Sequence, residues 1–348
     1  KTGIIVKITI TEHWNEYLSF FETEQKDIYF QEEYVCLYKT EKEVPKCVVA
    51  EDDGNYMLFP FLCRSFLFDE KAYYDFETAY GYGGPIFNTK NKVFRISVMK
   101  ELYKYFSENN YVAGFVRFHP LLNNFIDCES IGSIILDRKT VAMDLSMTEE
   151  EIWKNEIHTK NRNVIKKGIK NGLEFVLDDG YKYIYDFIRL YNSTMDRLSA
   201  DDFYYFDGKY YEEFIKKLPN SFLGVVKLGD KVLSAAIFMY SAPYAHYHLS
   251  GSNKEYLFLS PNNYMLYEAA KELKRRGALY FHLGGGSTSK PDDSLFNFKS
   301  RFSKSTCQFA TGKMIFNKPV YDSLCFAWAK KKTEKKDKYK SFLLKYKY

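Results

Sequence analysis

The chain has 348 residues, 46% hydrophobic and 27% charged, which is enough for two globular domains of ordinary size. A formal net charge of +5 excludes a molecule that is basic throughout, so any nucleic-acid binding has to rest on local lysine clusters. No apolar run approaches the roughly 18 residues of a membrane span, and six scattered cysteines with no CxxC pair exclude a zinc ribbon or redox dithiol.

Scattered thiols of this kind fit a reducing compartment, so a cytoplasmic location is expected, and the opening residues do not read as a secretory signal. In chain order, Trp14 to Phe21 has helical spacing, with Trp14, Tyr17, Leu18 and Phe21 on one face. Glu33 to Tyr38 and Lys46 to Val49 read as short strands. Asn55 to Cys63 reads as a strand in which Pro60 marks an edge or an irregularity. Tyr73 to Phe87 is a strand broken by a Gly-Pro turn, Val93 to Asn109 a helix, and Val112 to Phe118 a buried strand.

The second half repeats this rhythm. Glu149 to Lys170 is helical and basic, Leu173 to Leu177 a strand, and Tyr183 to Arg197 and Tyr210 to Leu218 are helices. Leu223 to Lys227, Lys231 to Tyr240 and Ala245 to Gly251 are consecutive strands, the first two joined at Leu228-Gly229-Asp230. Ser260 caps a helix from Pro261 to Arg276, Gly277 closes it, and Leu279 to Leu283 is a final strand. Two helices, antiparallel strands, a helix and a last strand is the order of an acetyltransferase-like domain. The fold class expected is therefore α/β (α+β), with two tandem acetyltransferase-like (GNAT) domains of mixed, largely antiparallel sheets flanked by helices. The expected domains are 1–145, 146–318 with the acyl-transfer site, and a basic segment 319–348 packing on the first domain. The tail from Ala327 reads as a helix with a charged face, able to pack through Phe342, Leu343 and Leu344 or to touch an anionic membrane.

The chemistry centres on His282 to Phe302, HLGGGSTSKPDDSLFNFKSRF. Three glycines allow positive φ and close approach to a ligand at Gly285, yet no Gly-Lys-Ser/Thr follows, so this is no phosphate loop. The stretch DDSLFNFKSRF resembles the C-terminal signature of the Fem-type (FemABX) peptidoglycan aminoacyltransferases. HTKNRNVIKKGIKNGLEF, YHLSGS, LSPNNYMLYEAAKELKRRGALYFHLGG and YGYGGP resemble further parts of that family, so the likeness covers most of the chain. It implies two acetyltransferase-like domains that move an aminoacyl group from a charged tRNA onto an amine of a peptidoglycan precursor. It also places Phe298 and Lys299 at the catalytic position, the lysine stabilising the developing oxyanion in what this reading takes as a turn-to-strand unit. FQEEYVCLYK and DDFYYFDGKYY do not supply the basic residues by which members hold a soluble nucleotide-linked muropeptide, so the acceptor stays open.

Around this centre, Lys160 and Arg162 begin a basic run with Lys166, Lys167 and Lys170 that suits a solvated face, a tRNA arm or a sugar phosphate. His246 and His248 share one strand face; with no third ligand nearby in sequence no metal is expected, and His248 is a candidate substrate contact or proton acceptor. Tyr205 flanks the same cleft, and Ser260 and Asn262 at a helix start offer an anion site. The donor expected is aminoacyl-tRNA or acyl-coenzyme A, with no other cofactor certain. The partners expected are an amine-bearing cell-envelope precursor, tRNA and a membrane surface, with no stable protein partner. The first reading is a Fem-like acyltransferase. The alternatives are an acyl-coenzyme A N-acyltransferase on an amino sugar or small amine, and a non-enzymatic RNA- or partner-binding module.

Overall fold

The structure is a computed structural model that describes residues 6–331 and 336–348; the opening Lys-Thr-Gly and the tail residue Glu334 lie outside the described residues. The chain forms two compact units, one of residues up to Asp137 together with Gln308–Tyr348, the other Arg138–Cys307. The divisions lie inside strands, at 137/138 and 307/308, whereas the sequence placed them at 145/146 and 318/319. The capping signals of DLSMTEEE open a helix well within the second unit: Thr148 and Glu151 form a reciprocal capping box there.

In the first unit the strands are β1 (Lys7–Thr11), β2 (Glu43–Asp52), β3 (Asn55–Phe68), β4 (Lys71–Glu77), β5 (Ile86–Phe87) and β6 (Tyr111–Arg117). β1 to β4 pair antiparallel in sequence, and β4 then pairs parallel with β6. That parallel step requires a crossover, which the helix Lys92–Glu108 supplies. Asn91 caps it by accepting from the N–H groups of Val93 and Phe94, and Phe94, Val98, Leu102 and Phe106 face the core. Pro60 is tolerated in a strand paired on both sides for a local reason. β3 pairs with β5 at Met57 and Leu58 and with β4 only from Leu62, leaving Pro60 between the two registers.

Two local readings change. Glu33 to Tyr38 is helical at Glu32–Cys36 rather than extended, with the Glu32 carboxylate taking the N–H groups of Trp14 and Asn15. The tail is a helix at Lys318–Lys330, a short turn at Lys336–Tyr339 and a turn at Lys345–Lys347, not one amphipathic helix. Leu343 and Leu344 are buried with Tyr73, Val112 and Leu324, and the Lys347 ammonium sits between the carboxylates of Glu43 and Glu77. Leu343 and Leu344 thus pack on their own unit, as expected, while Phe342 stays 45% exposed.

The second unit holds most of β7 (Ser133–Asp144), a strand absent from the sequence reading, then β8 (Glu174–Asp178), β9 (Ser221–Leu228), β10 (Lys231–Ser241), β11 (Tyr244–Ser252) and β12 (Tyr280–Gly285). β8 to β11 pair antiparallel, β11 pairs parallel with β12, and β12 pairs antiparallel with β7. The crossover is the helix Pro261–Arg275, which buries Met265, Leu266, Ala269, Ala270 and Leu273. The first unit has the same order, its last strand being β13 (Thr306–Ile315), antiparallel to β6. Each unit is thus a mixed, largely antiparallel sheet flanked by helices.

The helix Ile184–Arg197 packs on β11 at Gly251, where a Cβ would lie 2.3 Å from the backbone carbon of Leu190 and nitrogen of Tyr191. A backbone clash cannot be relieved by a rotamer change. Gly251→Ala is expected to lower unfolding stability by ~3 kcal/mol, read by urea denaturation; an unchanged midpoint contradicts this packing account.

Candidate active site

The parallel pair β11/β12 is registered only at Tyr244–Tyr280, Ala245–Phe281 and His246–His282. Past that point the two strands no longer pair with each other, so they diverge. β11 carries a bulge there: Tyr247 and Leu249 face consecutive residues of β10, leaving His248 as the extra residue. β12 is irregular at the same level, between His282 and Gly284.

The end of β12 runs into the glycines. Gly284 has φ +80°, a conformation other residues avoid. Gly286 is needed for space, because a Cβ there would fall 2.3 Å from the Asp293 carboxylate. Asp293 holds the turn together. Its two oxygens accept from the Thr288 N–H (2.8 Å), the Thr288 hydroxyl (3.0 Å) and the Phe296 N–H (2.9 Å). Burial works to raise this carboxyl, but the N–H and hydroxyl donors outweigh it and hold it at about 2. By accepting from Phe296, Asp293 starts a short helix, Ser294–Lys299, where the sequence reading had a strand.

Lys299 ends that helix and is 8% exposed. Its ammonium donates to the Gly285 carbonyl at 2.7 Å and lies 6.0 Å from the centre of the Tyr247 ring. One carbonyl and a ring face replace little of the lost hydration. Burial therefore lowers its pKa to about 7, against a smaller raising influence of Asp293. A lysine that exchanges its proton near neutrality, beside the opening between two strands, is suited to carbonyl chemistry. Phe298 is half-buried, its ring 5.6 Å from Phe302 at the edge of the core.

His248 meets Tyr210 rather than Tyr205: its Nε2 is 3.2 Å from the Tyr210 hydroxyl, and its ring stacks 5.6 Å from Phe214. Burial, with a minor contribution from His246, lowers its pKa to about 3, so the imidazole is neutral at physiological pH and a weak proton acceptor. Tyr205 is exposed and donates to Asp196 at 2.7 Å.

The basic helix spans Thr159–Lys170, separated from Glu149–Glu151 by a π-helical turn at Ile152–Glu156. Lys160 is exposed. Arg162 is half-buried, and its guanidinium donates to the carbonyls of Trp153, Lys154 and Ile157 and to Thr159, locking that turn. It is occupied by its own chain. Ser260 holds the expected N-cap position of the next helix, with φ +54°, but its side chain makes no capping hydrogen bond. Asn262 is half-buried, and its Oδ1 is shielded without a hydrogen-bond partner among the described residues.

The sequence pattern assigns no role to Asp293 as an organiser, to Tyr210 or Tyr247, or to the buried pair Asn161–Asn263. Asn263 donates to Asn161 at 2.7 Å, and Asn161 donates to the Arg301 carbonyl at 3.3 Å, tying the basic helix to the Lys299 segment. The signal for Asn161 was present: it falls on the inward stripe with Ile165 and Gly168.

Lys299 also yields a stability test. Its folded pKa of about 7 lies below that of an unfolded lysine, so the unfolded chain binds more protons from about pH 7 upward. Stability contributed at this site therefore rises with pH between about 7 and about 10.4. Lys299→Met is expected to flatten that rise by up to ~4 kcal/mol, measured by denaturant unfolding across the window; parallel wild-type and variant curves contradict the depressed pKa.

No curated protein sequence matches the chain. Residues 159–300 match the acetyltransferase (GNAT) domain family. Among solved structures, FemX is similar at 15% identity and TM-score 0.69, covering 91% of this chain and 99% of that one. L-PGS from Bacillus licheniformis is similar at 13% identity and TM-score 0.55, covering 88% and 94%. A tandem GNAT protein from the clavulanic acid biosynthesis pathway is similar at 6% identity and TM-score 0.53, covering 90% and 99%. The chain therefore has the FemX-type fold, with an acetyltransferase (GNAT) domain match at residues 159–300, and is an acyltransferase.

Proposed function

We propose that the chain transfers an aminoacyl group from a charged tRNA onto an amine of a cell-wall or surface-polysaccharide precursor. The observation that carries this reading is the buried Lys299 ammonium, held on the Gly285 carbonyl where β11 and β12 part. Attack of an amine on an ester carbonyl builds negative charge on oxygen. A fixed, poorly solvated ammonium gains most from that charge, and it gains it in the transition state rather than the ground state. The ester is already a good acyl donor, so positioning the amine accounts for much of the remaining barrier and no covalent intermediate on the chain is needed.

In this reading Phe298 supports the lysine through the core. Neutral His248, with Tyr210, and the backbone at Gly285 contact the substrate. Lys160, beside Asn161 and the exposed Arg301, meets an anionic part of it. Arg162 and Tyr205 act on local structure. The reaction belongs in the cytoplasm, a setting supported by six free thiols. Among the described residues no helix is long and apolar enough to cross a membrane. An acyl-coenzyme A donor with an amino-sugar or small-amine acceptor is the second reading, favoured by the match to the acetyltransferase family and by the shielded Asn262 at a helix start.

A transfer assay comparing charged tRNA with acyl-coenzyme A over a panel of amine acceptors tests both. Turnover with coenzyme A thioesters alone overturns the tRNA reading. With the productive donor, Lys299→Met is expected to lower kcat/KM by about a thousandfold. The wild-type rate should fall as pH rises through about 7, since the charged form does the work. Loss of rate below that pH instead makes the neutral amine a base and sinks the oxyanion role.

A further inference from the structure

The second unit leaves an apolar tip uncovered. The turn Lys254–Leu259 is fixed from within: Asn253 caps it by accepting the Glu255 N–H, Tyr256 accepts from Lys231 at 2.7 Å, and Leu259 packs on the core. What remains outside is Leu257, 41% exposed, and Phe258, 73% exposed. The turn lies against the basic helix, since a Cβ at Gly168 would be 3.5 Å from the Leu259 carbonyl. The helix turns Asn161, Ile165 and Gly168 inward and leaves Lys166, Lys167, Ile169 and Lys170 exposed, Ile169 by 47%. Beyond its end, Gly172 faces Leu228 of the β9–β10 hairpin, which brings Lys231 to the same end of the unit.

We propose that this end of the second unit docks on an anionic lipid bilayer, with Leu257, Phe258 and Ile169 entering the headgroup–acyl boundary and Lys166, Lys167 and Lys170 meeting the charged headgroups. Charge complementarity selects the occupant. Lys231 and Lys254 add to the three helix lysines, and the exposed acids close by are Glu174, Asp230 and Glu255, so lysines are in excess. A polyanion alone would use the lysines and gain nothing from an exposed leucine and isoleucine. An anionic bilayer uses both, because apolar side chains gain by insertion while lysines are attracted to the surface. The surface is distinct from the tail considered above. Its N-terminal neighbour is the Lys299 segment, tied on through Asn161 and Arg301, so one 12-residue helix of roughly 18 Å separates the docking end from the reaction centre.

The test is vesicle flotation of the full chain, which involves no turnover and is read independently of the acyl reaction. Phosphatidylcholine vesicles containing phosphatidylglycerol are compared with pure phosphatidylcholine, with unfractionated tRNA as competitor. Binding is expected to the anionic vesicles only, to weaken with salt, and to fall more than tenfold in the Leu257→Ser/Phe258→Ser double variant. A Lys166→Gln/Lys167→Gln/Lys170→Gln variant should lose it as well. All these side chains are exposed, and unchanged thermal unfolding shows that both variants fold. Absence of binding to anionic vesicles overturns the proposal, as does vesicle affinity unaltered by the double variant. Lysine-dependent tRNA retention without vesicle binding makes the surface a nucleic-acid face and overturns it too.

Discussion

An ammonium removed from water must find hydrogen-bond acceptors or give up its proton, and Lys299 is held between these outcomes. It has the Gly285 carbonyl and the face of Tyr247, and little else. Around that single group the glycine turn acquires its reasons. Gly284 adopts a backbone conformation closed to most residues, Gly285 presents its carbonyl, and Gly286 leaves room for the Asp293 carboxylate. Asp293 in turn nucleates the helix that delivers Lys299. Each residue of this set is explained by the one next to it, with the buried lysine at the end of the chain of causes.

The place where this happens follows from sheet topology. Both units have four antiparallel strands, one parallel step made by a crossover helix, and an antiparallel strand after it. A parallel pair joined by a long crossover has no tight turn to keep its register. In the second unit β11 and β12 stay together for three residues and then part, with His248 bulged from one and the glycines ending the other. The opening results from backbone geometry, and the side chains at its rim come from residues far apart in sequence.

Legibility was uneven for identifiable reasons. The helices Lys92–Glu108, Ile184–Arg197 and Pro261–Arg275 were readable because a long apolar stripe at helical period admits no other packing. Glu32–Cys36 was misread because five residues carry no period, and its helical state depends on Glu32 bonding the distant N–H groups of Trp14 and Asn15. β7 was missed because its outer half alternates weakly and carries Asp137, Arg138 and Lys139. Arg162 looked like a ligand for anions, yet a guanidinium can equally satisfy carbonyls left over by a π-helical turn, and a string of residue types does not reveal that turn. Tyr205 and Tyr210 differ in the same way: only packing brings the second to His248.

By itself the sequence determined the long helices and most strands of each half, the scattered cysteine usage, and the segment DDSLFNFKSRF whose family resemblance singles out Lys299. These are local properties, written in periodicity and in adjacent residues. Tertiary structure decided that Lys299 is buried, with its pKa lowered to about 7, that it lies near the Tyr247 ring, that Asp293 is the residue ordering the turn, and that Tyr210 meets His248. It also decided that residues from Gln308 onward belong with the first unit, whose sheet they complete. The physical reason is common to all of these. Desolvation, ring contacts and strand partners depend on groups brought together from distant parts of the chain, and no local pattern encodes which of them will meet.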